Sequence, residues 1–294
     1  MRLVDPIDQA TGLRRLFAST PVFRAVGILG PDSRRNARVC ADLALGLGRR
    51  GKQILVVDEG RAPYNVGGMW GVLPRYTLAH VPGVSLRDAA LEARPGIRLL
   101  PAPEGVQTLA GLNEQALLEV ADHWGDTPPD WMLVNGRNGP GEQAGLATTA
   151  ELRILVLPGS KDWLAEAYGA LKSAHAAWSG GEWLVLVEGA DVDTARRLSL
   201  SLQDTAQRFL GFAPGYLGCL PVQKDMKGSA EGFHGGVLAE GLLAMQQEQP
   251  VSFEQYWQRL WLFSRMAVDR QGGGRTGVPG NVISRGGHGS HHPG

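Results

Sequence analysis

The sequence predicts an α/β fold in which a mainly parallel, twisted β-sheet is flanked by helices. Short apolar runs recur along the chain, and most are continuous rather than alternating, which is typical of strands buried on both faces of a parallel sheet. Helical patterns separate these runs, as the crossovers between parallel strands require. Of the 294 residues, 43% are hydrophobic, which is enough for a sizeable core.

The first predicted element is a short amphipathic helix over residues 6–18. Asp8 lies in its first turn, where a carboxylate suits the helix dipole. We assign residues 1–20 to this N-terminal segment and residues 21–250 to the α/β domain. The apolar residues that recur at helical spacing are Ile7, Ala10, Leu13, Leu16 and Phe17.

Seven apolar runs inside the α/β domain are the predicted strands. They are Phe23–Leu29, Gln53–Val57, Ile97–Leu100, Trp131–Val134, Leu152–Leu157, Trp183–Val187 and Tyr216–Leu220.

A second amphipathic helix is predicted within residues 251–270. Ser252 and Gln255 form a capping box at its start. This helix either packs permanently on the fold or lies in a membrane interface, for which tryptophan is suited; its few basic residues favour packing. Its broad apolar face includes Phe253, Trp257, Leu260 and Trp261.

Residues 271–294 are rich in glycine and have almost no apolar side chains, so we expect a disordered tail. His288, His291 and His292 lie in this tail. A solvated, low-complexity segment is the simpler interpretation of these histidines, and a nickel or zinc site is the alternative. We predict no metal site.

Charge and cysteine content argue against several function classes. Lys+Arg and Asp+Glu balance at 29 each, which argues against direct binding of nucleic acid. Cys40 and Cys219 lack metal-ligand spacing and fit a reducing compartment such as the bacterial cytoplasm. The charged residues among the first twenty argue against a secretory signal, and no apolar stretch approaches the roughly 20 residues that span a bilayer.

The stretch from Val26 to Ala37 joins a predicted strand to a predicted helix through a polar loop. Strand, glycine loop and helix together build a phosphate site, because the N–H groups at a helix N-terminus converge on the anion. This loop contains neither the run of glycines nor the lysine that grips a phosphate.

Several stretches, taken in order, resemble the MinD/ParA class of P-loop ATPases and, within it, the flagellum-number regulators called FlhG or FleN. The resemblance spans about residues 5–230, and it implies the fold of that class. The matching stretches are residues 51–58, which end in Asp58, and residues 75–81, 96–102, 105–107, 168–172, 209–211 and 216–221.

The N-terminal segment resembles the DQAxxLR motif that opens the flagellar family. There the motif forms a helix that binds the signal-recognition-type GTPase FlhF and stimulates GTP hydrolysis. The resemblance implies that Gln9 orients the attacking water on that partner; the alternative is a docking helix whose Gln9 is solvated. The matching residues are Asp8, Gln9, Ala10, Leu13 and Arg14.

Compared with the family's loop, K-G-G-V-G-K-T, the seven residues from Pro31 to Ala37 lack its chemistry. Pro31 stands at the first lysine, Asn36 at the phosphate lysine, and Ala37 at the hydroxyl residue that helps to hold Mg²⁺. Asp32, Ser33 and Arg35 stand at the three glycines. The alternative interpretation is that Arg34, Arg35 and Arg38 still attract an anion.

Two further strand ends agree with this loss. Asn135 stands where the family has a metal-organising aspartate, and a neutral amide cannot balance Mg²⁺ as a carboxylate does. Glu188 stands at the adenine-reading asparagine, whereas Asp58 is retained. The resemblance thus implies a pseudo-ATPase that has lost the family's ATP and Mg²⁺ and has no catalytic residues of its own.

The resemblance implies a cytoplasmic regulator of flagellar number and placement, recruited to the cell pole or the inner membrane surface. Its expected partner is an FlhF-like GTPase, with flagellar switch components or a transcription activator as further partners. Two alternatives stay open. One is an active ParA/MinD-type ATPase with an unorthodox loop, used in cargo or polar-complex positioning; the other is a scaffold subunit that kept only the fold.

Overall fold

The structure is a computed structural model, and it describes residues 23–81, 83–122, 124, 128–136, 144–221, 233–245 and 251–273. These residues form an eight-stranded sheet with the order β3-β4-β2-β5-β1-β6-β7-β8. The strands are β1 (Arg24–Leu29), β2 (Ile54–Asp58), β3 (Leu91–Arg94), β4 (Ile97–Pro101), β5 (Trp131–Asn135), β6 (Leu152–Pro158), β7 (Glu182–Glu188) and β8 (Gly215–Leu220).

Helices connect the strands and cover both faces of the sheet. They are α1 (Ser33–Gly48), α2 (Val66–Trp70), α3 (Leu86–Ala89), α4 (Gly105–Ala110), α5 (Glu114–Asp122), α6 (Leu164–Ala177), α7 (Val192–Leu210), α8 (Phe233–Ala244) and α9 (Phe253–Gly273). Single 3₁₀ turns lie at Leu78–His80, Leu146–Thr149 and Lys161–Trp163.

The predicted fold class is confirmed, with one strand that the sequence analysis did not predict. All described strand pairs are parallel except β3–β4, which is antiparallel. The residues of β3, Leu-Glu-Ala-Arg, are exposed or half-buried, so this edge strand lacks the continuous apolar run of the seven others. An edge strand needs burial on fewer sides, and this explains why apolar runs alone miss it.

Two apolar layers sandwich the sheet. On one face α4, α5, α6, α7 and α9 contribute to a large buried cluster. On the other face α1 and α8 form a smaller cluster over β1, β2, β5 and β6. Alternate residues of each strand pack in the two layers, which explains why the strands appear in the sequence as continuous apolar runs.

Helices α1 and α8 cross at an unusually short distance. A Cβ atom at Gly46 would overlap the carbonyl of Gly235, and a Cβ atom at Gly235 would overlap the carbonyl of Asp42. Gly46, in the last turn of α1, therefore permits a close helix crossing.

The predicted capping box at the start of α9 is confirmed. The N–H of Ser252 donates to Gln255 Oε1 at 2.9 Å, and the N–H of Gln255 donates to Ser252 Oγ at 3.1 Å. The helix reaches Gly273, so its predicted end at residue 270 was three residues short. Apolar spacing does not mark the exact end of a helix. In this sequence no proline stops the helix near residue 270.

Candidate functional site

The loop between β1 and α1 lies at the carboxyl edge of the sheet, at the point where the order of the strands reverses. Strand β1 pairs with β5 on one side and with β6 on the other. The connection from β5 to β6 therefore crosses β1. Open α/β sheets bind ligands at such a reversal. The ends of β2, β5 and β7 bring Asp58, Asn135 and Glu188 to the same edge.

Asp32 caps the N-terminus of α1 with its own side chain. The Oδ1 atom accepts hydrogen bonds from the N–H of Arg34 at 3.0 Å and from the N–H of Arg35 at 3.2 Å. These N–H groups have no partner within the helix and would otherwise be open to an anion. A carboxylate of the protein itself therefore binds them.

Asn36 and Ala37, which follow in the first turns of α1, are fully buried. The amide of Asn36 turns back on the loop and donates to the carbonyl of Gly30 at 3.0 Å. Ala37 packs in the apolar layer beneath α1. Both side chains thus stabilise the loop instead of extending from it. Pro31 precedes the cap and is half-buried.

Two arginines of α1 bind Glu188, whose side chain is buried at the end of β7. Arg35 Nη1 lies 3.0 Å from Glu188 Oε2, and Arg38 forms a second ion pair with the same carboxylate. Arg35 also pairs with Asp32 at 3.1 Å. Two guanidinium groups and two carboxylates balance, so their net charge is zero.

This network links the first turn of α1 to β7, two strands away from β1 in the sheet. Burial lowers the pKa of the Arg38 guanidinium, because the charged form loses hydration. Arg34 is exposed. Of the three arginines expected as an alternative anion site, two are bound to Glu188.

Asp58 at the end of β2 is buried and fully engaged by its neighbours. Its Oδ1 atom accepts from Asn135 Nδ2 at 2.7 Å and from the N–H of Gly60 at 3.0 Å, and its Oδ2 atom accepts from the N–H of Val66 at 2.7 Å. Burial raises the pKa of the Asp58 carboxyl above its ordinary value, and these hydrogen bonds oppose that shift in part.

Glu59 is a buried carboxylate that the sequence analysis missed. It accepts hydrogen bonds from the N–H of Leu146 at 2.9 Å and of Ala147 at 3.3 Å. It therefore holds the 3₁₀ turn after β5 against the end of β2. A second acidic residue directly after a buried strand was the available signal, because a carboxylate there needs donors.

The arrangement at this edge stabilises the fold and offers few free polar groups. Within the parts of the chain that the structure describes, no three His, Cys, Asp or Glu side chains come together as a metal site. Among these residues, the Oδ1 atoms of Asn36 and Asn135 are buried without a hydrogen-bond partner.

Helix α9 buries the residues predicted for packing or membrane binding. Phe253, Trp257 and Leu260 are at most 5% exposed, and Trp261 is half-buried, with its indole N–H donating to the carbonyl of Leu112 at 2.9 Å. Tyr256 and Phe263 share the buried face. Among the described helices, none combines the length and apolar character of a membrane span.

The predicted partner-binding residues Asp8, Gln9, Ala10, Leu13 and Arg14 lie outside the described residues, as do His288, His291 and His292 of the tail. The described chain begins at Phe23. This ring is buried 5.5 Å from the ring of Phe253 and 5.8 Å from that of Tyr256, so the chain enters the fold beside the start of α9.

Comparison with known proteins supports the resemblance expected from the sequence. No model of a protein family matches the chain. It is homologous to the antiactivator FleN of Pseudomonas aeruginosa, at 26% identity over 200 residues, covering 64% of this chain and 70% of that protein. The MinD cell division protein of Aquifex aeolicus has the same fold, with a TM-score of 0.51 at 17% identity over 87% of this chain and 98% of that one. The predicted MinD-type fold is confirmed.

Proposed function

We propose that this homologue of FleN is a regulator of flagellar number and placement that acts without binding a nucleotide. The observation that carries the proposal is the carboxylate of Asp32 at the N-terminus of α1. In an ATPase of this fold, the phosphates of the nucleotide would take the corresponding N–H groups.

The remaining residues of the edge do not fit ATP and Mg²⁺. A phosphate needs cations that face it, but Glu188 binds Arg35 and Arg38, and of the three arginines this leaves the exposed Arg34. Mg²⁺ needs a carboxylate or hydroxyl with a free oxygen. Ala37 has no hydroxyl, and four protein groups donate to the Asp58 carboxylate. The site is thus a pseudo-ATPase site.

Function then depends on binding to other proteins. By its resemblance to the family motif, the N-terminal segment is the proposed contact with an FlhF-like GTPase, and Gln9 is the residue that orients the attacking water there. The relative's name, antiactivator, suggests a transcription activator as a further partner. We place this regulator in the cytoplasm, at the cell pole or the inner membrane surface.

Isothermal titration with ATP and Mg²⁺ tests the pseudo-ATPase. We expect no heat of binding, because the acceptors and cations of the loop bind one another. A variant that combines Asp32→Gly with Glu188→Gln is the matched control. It frees the N–H groups at the start of α1 and the side chains of Arg35 and Arg38, and it leaves the apolar layers of the fold intact. A micromolar dissociation constant for the natural protein would refute the proposal.

A pull-down with an FlhF-like GTPase and a GTP-hydrolysis assay test the partner. The full chain should bind and stimulate, whereas a chain that begins at Thr20 should do neither. Gln9→Ala should lower stimulation by at least tenfold while binding persists, because only the water-orienting amide is lost. Gln207→Ala, an exposed residue of α7, is the control. Equal stimulation by both variants would remove Gln9 from the mechanism.

A further inference from the structure

A groove of about 260 Å³ lies between α6 and α9, away from the loop after β1. Its floor is apolar and is formed in part by the buried ring of Phe263, which packs against Trp178 with ring centroids 6.3 Å apart. Its rim carries the exposed side chains of Ser173, Met266 and Arg270. A groove with small residues between two helices is suited to an amphipathic helix.

The groove is within reach of the chain that precedes Phe23. Because Phe23 packs on Phe253, the described chain starts near the first turn of α9. Ten residues of helix, from Phe253 to Phe263, span about 15 Å. The five Cα–Cα steps from residue 18 to Phe23 can cover about 17 Å when extended. Residues 6–18 can therefore lie along the groove without strain in the connection.

The chemistry of the two surfaces is complementary. In residues 6–18, the apolar side chains recur at helical spacing, so a helix there has one apolar face to bury. Asp5 and Asp8 lie at its start and Arg14 and Arg15 near its end, so it is the start of the segment that is opposite in charge to the exposed Arg265 and Arg270 beside the groove. Leu262, 52% exposed, and Met266, 41% exposed, continue the apolar surface on α9.

We propose that residues 6–18 dock as a helix into the groove between α6 and α9 of the same chain. An intramolecular contact of this kind acts at an effective concentration near millimolar, so a weak contact is sufficient. The consequence for the GTPase rests on the function proposed above. When the segment is docked, the GTPase has to compete for it. The apparent affinity of the GTPase for this segment is then the intrinsic affinity multiplied by the fraction of chains in which the segment is undocked.

Disulfide trapping tests the docking directly. Ser173→Cys is combined with Ile7→Cys, Leu13→Cys or Phe17→Cys in a chain that also carries Cys219→Ser, since Cys40 is buried. At least one pair should form an intramolecular disulfide within minutes of mild oxidation, as detected by mass spectrometry. Lys172→Cys, one position along α6 and on a different helix face, should give at most a tenth of that yield.

Three results would overturn the docking. They are no cross-link at any of the three positions, equal cross-linking at Lys172→Cys, and cross-links only between two chains. The last result would show that the groove binds the segment of a second copy. Full-length proteins are used throughout, and circular dichroism checks that each variant is folded.

Met266→Glu tests the docking by placing a charge at the apolar groove. The fold should tolerate this change, since the Met266 side chain is exposed. The variant should lower the cross-link yield at least fivefold and raise GTPase stimulation about threefold, whereas Val237→Glu, an exposed residue of α8 on the opposite face of the sheet, should change neither. An unchanged cross-link yield in Met266→Glu would also contradict the docking. If neither the full chain nor a peptide of residues 1–22 stimulates the GTPase, the proposed function fails, while the cross-link still decides the docking.

Discussion

The carboxyl edge of the sheet and the face beneath α9 are stabilised in opposite ways. At the edge, buried carboxylates bind polar side chains: Glu188 binds Arg35 and Arg38, and Asp58 accepts from Asn135. Beneath α9, aromatic rings from Phe23, Phe253 and Trp124 pack at centroid distances of 5.5 to 5.6 Å. The first region depends on matched partners, and the second depends on buried area.

On the function proposed above, this difference explains how a nucleotide site loses its ligand without losing the fold. Buried charges and open helix ends cost free energy unless something binds them. In an ATPase the nucleotide supplies part of that binding. In this chain Asp32 and Glu188 supply it permanently, and the apolar layers require no change. Four predictions test the contrast, from the largest expected effect to the smallest.

The largest effect is expected from Trp257→Ala on the apolar face. This side chain is fully buried, so the variant loses its transfer free energy and leaves a cavity. We expect a loss of about 3–5 kcal/mol in the free energy of unfolding, measured by urea denaturation. Leu262→Ala, at an exposed position of the same helix, should stay within about 0.5 kcal/mol. Similar losses in both variants would contradict burial as the source of stability.

The second effect is expected from Glu188→Gln at the polar edge. The variant keeps the volume but leaves two arginines without their carboxylate. Because these arginine side chains are 33% and 44% exposed, solvent screens part of the cost, and we expect a loss of about 1–3 kcal/mol.

The same variant should gain an anion site. Phosphate at constant ionic strength should raise the melting temperature of Glu188→Gln more than that of the natural protein, since Arg35 and Arg38 become available. Glu166→Gln, on the exposed surface of α6, should respond like the natural protein. A phosphate response that is equal in all three proteins would show that Glu188 does not occupy the arginines.

The third effect is expected from Asp32→Ala at the helix cap. Loss of an N-cap carboxylate costs about 1 kcal/mol, measured by urea denaturation. The exposed Asp204→Ala should change the free energy of unfolding by less than about 0.5 kcal/mol. If Asp32→Ala were equally neutral, the cap would contribute nothing to the stability of α1.

Sequence patterns predicted the strands well because buried parallel strands have a simple signature. Each of the seven predicted runs contains most of an observed strand, and only the exposed edge strand Leu91–Arg94 was missed. The predicted capping box of Ser252 and Gln255 was equally local, since both residues lie within one helical turn. Local patterns of this kind do not depend on distant parts of the chain.

The partners at the polar edge could not be predicted from the sequence. Glu188 follows Arg35 by 153 residues, and Leu146 follows Glu59 by 87 residues. The resemblance identified the unusual positions, and the alternative interpretation, in which Arg34, Arg35 and Arg38 attract an anion, did not include the pairing of two of them with Glu188. Their pairing depends on the crossover that brings β7 beside β6, which is a property of the whole sheet.

The smallest effect concerns the pH dependence of stability at Asp58. Burial raises the pKa of this carboxyl in the folded protein above its value in the unfolded chain. Folding therefore favours the protonated form, and the contribution of Asp58 is fully present below the unfolded pKa and is lost as the pH rises through the folded pKa. Asp58→Asn removes this titration and leaves the other carboxylates in place.

The free energy of unfolding should be measured for both proteins by urea denaturation, from about pH 4 upward to neutrality. The difference, natural protein minus Asp58→Asn, should decrease as the pH rises. A difference that increases with pH for Asp58→Asn would mean that the hydrogen bonds from Asn135, Gly60 and Val66 outweigh burial, and the polar edge would then be stabilised chiefly by the charged carboxylate.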